Sequence, residues 1–303
     1  MPEPARRIFV VGEHGQLAQA LRGACAAGGH AVRLAGRATA DLTAPGAVAA
    51  AIADFAPDVV VNAGAYTAVD KAEDEPELAF RINRDGAAEV ASAAATADAA
   101  LIHVSTDYVY DGAKPCPYLE TDATSPLGVY GASKLAGEAA VAAAGGHPVI
   151  LRTSWVCSPH GHNFVKTMLR LAGQRDEVAV VDDQWGAPTF AADLAAAVVI
   201  IAEVLSSAGD RSRLAGLYHV AGTGYTTWCD FARTIMQASL KRDGPSCRVR
   251  AITTPEYPTR ARRPANSRLD CTKIARVFGI RLPPWQTSLN VCLDQLIAIP
   301  QRA

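Results

Sequence analysis

The chain has 303 residues, half of them hydrophobic and 19% charged, with a formal net charge of −1. That is enough apolar material for one large core or two modest ones, and it excludes a disordered or fibrous class. A charge balance this even excludes a global field that would attract nucleic acid or an anionic membrane. An anionic small molecule has to be held by local arginines and lysines. No run of about twenty apolar residues marks a membrane span. Arg6 and Arg7 lead into a short apolar run, 8–11, with no longer core or cleavage site behind it. It reads as a first strand rather than a signal peptide, and the chain as cytoplasmic.

Short apolar runs follow at 31–34, 59–62, 101–105 and 149–152, and Ala-rich stretches at 15–27, 44–55, 76–97 and 128–144 have helical character. Strands so short and so apolar suit a parallel sheet covered on both faces. The alternation predicts an α/β fold, a doubly wound parallel sheet of the Rossmann type. Helices are expected near 162–174, 190–206 and 226–240, with Pro/Arg-rich loops at 253–268 and 281–286. The expected division is a dinucleotide-binding domain over 1–155 and a smaller, mainly substrate-binding domain over 156–303, some segments of which return to the first.

The seven cysteines, at 25, 116, 157, 229, 247, 271 and 292, form no C-x-x-C and are odd in number. They read as isolated thiols rather than disulfides or zinc ligands. His160 and His162 lack evident partners for a metal and read as a surface loop.

The loop Gly12-Glu13-His14-Gly15-Gln16-Leu17 follows the first strand and opens a helix. Glycines in that context let the backbone turn and approach a pyrophosphate, which the positive helix end receives. Gly12, Gly15, Gln16 and Leu17 are therefore cofactor candidates. After the second strand stands Arg37, where a carboxylate would grip a ribose 2′-hydroxyl and an arginine accommodates a 2′-phosphate. Arg37 favours NADPH, and a solvated loop arginine fits the same position equally, so NADH stays open. Asp41 and Leu42 can lie beside the adenine. Ala63, Gly64, Ala65 and Tyr66, after the third run, let a cofactor lie against the backbone.

The sharpest constellation is Ser105-Thr106-Asp107 at a strand end, followed by Tyr130 and Lys134 on a helix. Residues at i and i+4 share a helix face. A lysine beside a phenol favours the phenolate and is expected to lower the tyrosine pKa. The pattern predicts hydride transfer at a carbonyl, with Tyr130 moving the proton, Lys134 also holding the nicotinamide ribose, and Thr106 bonding the substrate oxygen.

In this order the motifs resemble those of the extended short-chain dehydrogenases/reductases and, within them, the dTDP-4-dehydrorhamnose reductase family. The similar segments span nearly the whole chain: PDVVVNA (57–63), YTAVDKAE (66–73), STDYVY (105–110), YGASKLAGE (130–138), RTSWV (152–156), NFVKTM (163–168), DQWGAPT (183–189), GLYH (216–219) and RRPANS (262–267). The resemblance implies reduction at C4 of a dTDP-linked 4-keto-6-deoxy sugar by NADPH or NADH, with Thr106, Tyr130 and Lys134 catalytic. It implies that Asp107, Tyr108 and Trp155 contact the sugar or its nucleotide. Asn163, Lys166, Gln184, Arg262 and Arg263 are further candidates for the nucleotide end, since a pyrophosphate suits forked guanidinium donors. A solvated basic loop explains the two arginines equally well.

Some members of that family form a dimer bridged by magnesium on three glutamates. Here Ala20, Ala192 and Gln295 stand at those places, which implies no metal and a monomer or weak homodimer. Related enzymes leave two rivals. A dehydratase would carry a glutamate where Tyr108 stands. An epimerase would use the same tyrosine and lysine. A non-catalytic rival also exists, because a relative of these reductases serves as the regulatory subunit of methionine adenosyltransferase.

Overall fold

The structure, a computed structural model, describes residues 5–297. The outermost positions of the two expected domains, 1–4 and 298–303, lie outside them. The strands are β1 (Arg7–Val11), β2 (Ala31–Ala35), β3 (Val59–Asn62), β4 (Ala100–Thr106), β5 (Val149–Thr153), β6 (Val156–Cys157), β7 (Glu177–Val181), β8 (Trp185–Gly186), β9 (Thr189–Phe190), β10 (Gly216–His219), β11 (Thr226–Thr227) and β12 (Arg248–Ile252). Six of them form one sheet, in the order β10-β5-β4-β3-β1-β2, and every pairing in it is parallel.

The helices are α1 (Gln16–Ala27), α2 (Ala47–Phe55), α3 (Val69–Ala72), α4 (Pro76–Phe80), α5 (Ala87–Thr96), α6 (Val129–Ala143), α7 (Phe164–Ala172), α8 (Ala191–Ser207), α9 (Trp228–Leu240), α10 (Thr272–Phe278) and α11 (Trp285–Leu296). Successive side chains of β1 point to opposite faces. Ile8 and Val10 join Leu21 of α1 and Leu194 and Val198 of α8 in one buried cluster. Phe9 and Val11 join Ile52 of α2 and Val90 of α5 in another. Each fully buried side chain of this size stabilises the fold by about 1.5–3 kcal/mol through burial. This two-sided cover is why the inner strands β1 and β3 read as apolar runs, whereas the edge strand β2 keeps Arg33 exposed. The sheet is doubly wound, as expected.

The 76–97 stretch is not one helix. α4 passes into a π-helical turn, Arg81–Gly86, before α5 begins. The turn brings Asn83 inward, where it accepts from the Tyr66 amide at 2.8 Å and donates to Tyr66 O at 3.1 Å and Ser133 Oγ at 2.9 Å. One side chain thus ties the loop after β3 to α6, and a π-turn is a common device for such re-aiming.

The later chain was harder to read. α8 and β10 return to the main sheet, whereas α7, α9, α11, β7 and β12 enclose a separate core around Val165, Phe231, Ile235, Trp285 and Leu289. Among the described residues, no helix is long and apolar enough to cross a membrane. Because the chain leaves β1 toward β2 on one side and returns through β3 on the other, a crevice opens beyond the C-terminal ends of these strands.

Candidate active site

The crevice is a cleft of about 610 Å³, and Gly15, Gln16, Leu17, Ala63 and Ala65 line one side of it. α1 begins at Gly15 with no side-chain cap and no acidic residue in its first turn. A twelve-residue helix with uncapped N–H groups facing a cleft is suited to an anion. The residues fit the pyrophosphate of a dinucleotide. Gly12 and Gly64 lie behind this wall, and Leu42 packs on Gly64. Arg37 is exposed at the end of β2, and Asp41 accepts from Thr43 N and Oγ1 at 2.8 and 2.9 Å. Tyr66 turns away: its ring is buried and its hydroxyl donates to Glu75 Oε2 at 2.8 Å.

Thr106, Asp107, Tyr108, Tyr130 and Lys134 meet on the opposite wall. Burial pushes the Tyr130 phenol up, and the Thr106 hydroxyl, within hydrogen-bonding reach, pulls only partly the other way. The expected lowering by Lys134 is absent. Lys134 Nζ instead donates to Val104 O at 2.7 Å. Desolvation outweighs the Thr106 bond, so the Tyr130 phenol keeps its proton. Lys134 is 2% exposed, and burial lowers it to about 8 against the opposing pull of Glu138. Burial raises Asp107 to about 6 against opposing hydrogen bonds from Ser267 and Thr106, the latter to Oδ1 at 3.1 Å.

These shifts set a pH window. Below about 6 Asp107 takes up a proton, so Thr106 loses its anionic acceptor; above about 8 Lys134 loses its charge. A plot of kcat/KM against pH, which reports the free enzyme, is expected to be bell-shaped between those limbs. A flat profile across the window would contradict these assignments.

Tyr108 meets Tyr130 edge-on, with centroids 5.5 Å apart, and burial pushes its hydroxyl up to about 12. It is a neutral phenol, unsuited as the base of a water elimination. Trp155 lines the cleft with φ at +49° and its indole stacked on Trp228 at 3.5 Å. Gly186 makes room for that ring, since a Cβ there would stand 2.6 Å from Trp155 Cζ2. Gly186→Ala is expected to force the indole off Trp228, lower stability by about 1–3 kcal/mol as overpacking does, and raise KM more than it lowers kcat. Intrinsic fluorescence and steady-state kinetics check this.

Beyond Tyr108 a second pocket of about 470 Å³ holds Gln184, Arg263, Arg175, Tyr257 and Trp228. Arg263 bonds Asp70 Oδ2 at 2.5 Å, and its buried Nη1 has no hydrogen-bond partner among the described residues. The remaining candidates are not brought together here. Asn163 caps α7 by accepting from Lys166 N at 3.2 Å, and its Nδ2 reaches Gln16 Oε1 at 2.9 Å. Lys166 Nζ donates to Pro159 O at 3.1 Å, and Arg262 is exposed on its loop. Sequence reasoning missed Arg175, Tyr257 and Trp228. The Asn163 cap, an asparagine directly before a helix, had a readable signal.

A family model described as RmlD substrate binding domain matches residues 6–298. The chain belongs to this family. It is 50% identical to a dTDP-4-dehydrorhamnose reductase of Sinorhizobium fredii over 93% of this chain and 95% of that one. It is 43% identical to the Escherichia coli protein of the same name, over 95% and 97%. A crystal structure of dTDP-4-dehydrorhamnose reductase from Bacillus anthracis in complex with NADP matches with a TM-score of 0.87 at 34% identity, over 95% of this chain and 99% of that one.

The RmlD-family motif YGASKLAGE, at 130–138, carries one more charged residue. Glu138 follows Lys134 by one turn of α6 and is paired with Arg152 of β5 through bonds of 2.8 and 2.6 Å. Ser105 Oγ donates to the same carboxylate at 2.5 Å, and Arg152 Nη1 donates to Tyr110 OH at 2.6 Å. The network clamps α6, which carries Tyr130 and Lys134, to the end of β4 that presents Thr106. The magnesium bridge of some family members does not fit this chain. Ala20, Ala192 and Gln295 line one groove beside α1, α8 and α11 and offer two methyls and a neutral amide to a hard cation.

Proposed function

We propose that the protein reduces the C4 ketone of dTDP-4-dehydro-β-L-rhamnose to the alcohol of dTDP-β-L-rhamnose, using NADPH or NADH. The observation that carries this reading is the meeting of Thr106, Tyr130 and Lys134 in a cleft bounded by an uncapped α1 on one side and by Tyr108 and a second pocket on the other.

A reduced nicotinamide, when bound, supplies the hydride. Tyr130 donates its proton to the new alkoxide, which balances the hydride added at carbon. Thr106 hydrogen-bonds the same oxygen, and Lys134, whose Nζ is held by Val104 O, would hold the nicotinamide ribose. Trp155 offers an apolar face to the deoxy-sugar ring and its methyl group. The pocket beyond Tyr108, with Arg175, Gln184 and Arg263, takes the nucleotide end.

The reading includes a division of labour, with 1–155 holding the cofactor and 156–303 mainly the sugar nucleotide. It includes a cytoplasmic location, supported by seven free cysteines, and a monomer or weak homodimer without nucleic-acid or membrane partners. The test is the loss of reduced-nicotinamide absorbance with the keto sugar present and absent. Substrate-dependent loss with one of the two cofactors supports the reading. Binding of nucleotide without any loss favours an epimerase or a regulatory subunit.

A further inference from the structure

The glycine loop carries a carboxylate that the reaction does not use. Glu13 follows Gly12, whose N–H donates to Ala35 O, the last residue of β2, at 2.8 Å. The carbonyl of Glu13 accepts from Gln19 Nε2 at 2.5 Å. These two bonds hold the loop over the end of β2. There the Glu13 side chain lies against Gly36. A Cβ built on Gly36 would stand 3.0 Å from Glu13 Cβ and would overlap the carboxylate, so a side chain at position 36 would displace it.

In a dinucleotide fold the end of the second strand faces the adenosine ribose. An acid there accepts from the 2′-hydroxyl and repels a 2′-phosphate. β2 of this chain ends at Ala35 and is followed by Gly36-Arg37, without an acid. The acid arrives from the glycine loop instead and covers the same strand end. Arg37, the residue suited to a 2′-phosphate, is not free of competition. The carboxyl of Asp41 is held below its usual range first by hydrogen bonds from Thr43 and then by the charges of Arg37 and Arg81. His14 Nε2, 3.6 Å from the Glu13 carboxylate, is the other polar group beside it.

We infer that Glu13 sets the choice between NADH and NADPH, its carboxylate favouring the ribose 2′-hydroxyl and opposing the 2′-phosphate. Arg37 acts against it, and the balance of the two fixes how far the site accepts both cofactors. The inference rests on the cofactor site proposed above and is independent of the sugar.

The test titrates the full chain with NADH and with NADPH, followed by nicotinamide fluorescence, for the wild type, Glu13→Gln, Glu13→Lys and Arg37→Ala. The ratio of the NADPH Kd to the NADH Kd is expected to fall about tenfold in Glu13→Gln, mainly through tighter NADPH, and further in Glu13→Lys. It is expected to rise in Arg37→Ala. Added salt should shrink the difference between wild type and Glu13→Gln, because the effect is charge repulsion at an open site. A ratio within about twofold of wild type in Glu13→Gln overturns the inference, as does an equal weakening of both nucleotides. If the wild type binds neither, the cofactor site itself falls and the inference with it.

Discussion

Tyr130→Phe is expected to lose roughly 10²–10⁴-fold of turnover on the keto sugar while binding NADPH and NADH as the wild type does. The phenylalanine keeps the ring that meets Tyr108 edge-on at 5.5 Å and removes only the hydroxyl. That hydroxyl is the proton donor of the proposed reaction. Burial raises its pKa, so it carries a proton at neutral pH, and Thr106 is within hydrogen-bonding reach of it. Lys134 does not depend on it, since Nζ is already placed by its bond to Val104 O. Nucleotide titration and steady-state kinetics on the same preparation check both halves. Retained turnover removes Tyr130 from the mechanism, and lost binding shows that the hydroxyl also holds the cofactor.

Arg152→Met is expected to lower stability by about 3–5 kcal/mol, the usual cost of stranding a buried charge. Arg152 and Glu138 are 4% and 6% exposed. With the guanidinium gone, Glu138 keeps only Ser105 as a close donor, and Tyr110 loses its bond from Nη1. The pair itself is not thereby a net stabiliser, because desolvation offsets most of its attraction. The double variant Arg152→Met/Glu138→Leu should therefore recover much of the loss. Urea midpoints of the single and double variants decide this. Equal losses in both would place the cost in packing rather than in charge.

How much was legible follows from the same physics. The five strands of the first half were found within a residue or two, four of them because burial on both faces leaves a largely apolar run, while β2, the edge strand, carries the exposed Arg33. The helix that carries Tyr130 and Lys134 was expected at 128–144 and stands at Val129–Ala143. β10 was missed, since its four residues end in a tyrosine and a histidine that read as polar, yet both are buried. The π-turn was missed because the contacts that Asn83 makes from it, with Tyr66 and Ser133, are distant in sequence. Motif resemblance named Asn163 and Lys166, and position after the third apolar run named Tyr66, without their directions. In the structure a helix cap, a loop carbonyl and Glu75 claim those side chains. The direction of the Tyr130 pKa was misjudged for a similar reason. Spacing on a helix shows that Lys134 is near, while its hydrogen-bond partner and the depth of burial belong to the tertiary fold.

The most direct test of the central claim is the mass of the sugar nucleotide recovered after incubation with cofactor deuterated at the transferring position. Reduction predicts a dTDP-linked product heavier than the keto substrate by one deuterium and one proton, with the deuterium on C4. An epimer of unchanged composition, or unaltered keto sugar beside a bound cofactor, would contradict it.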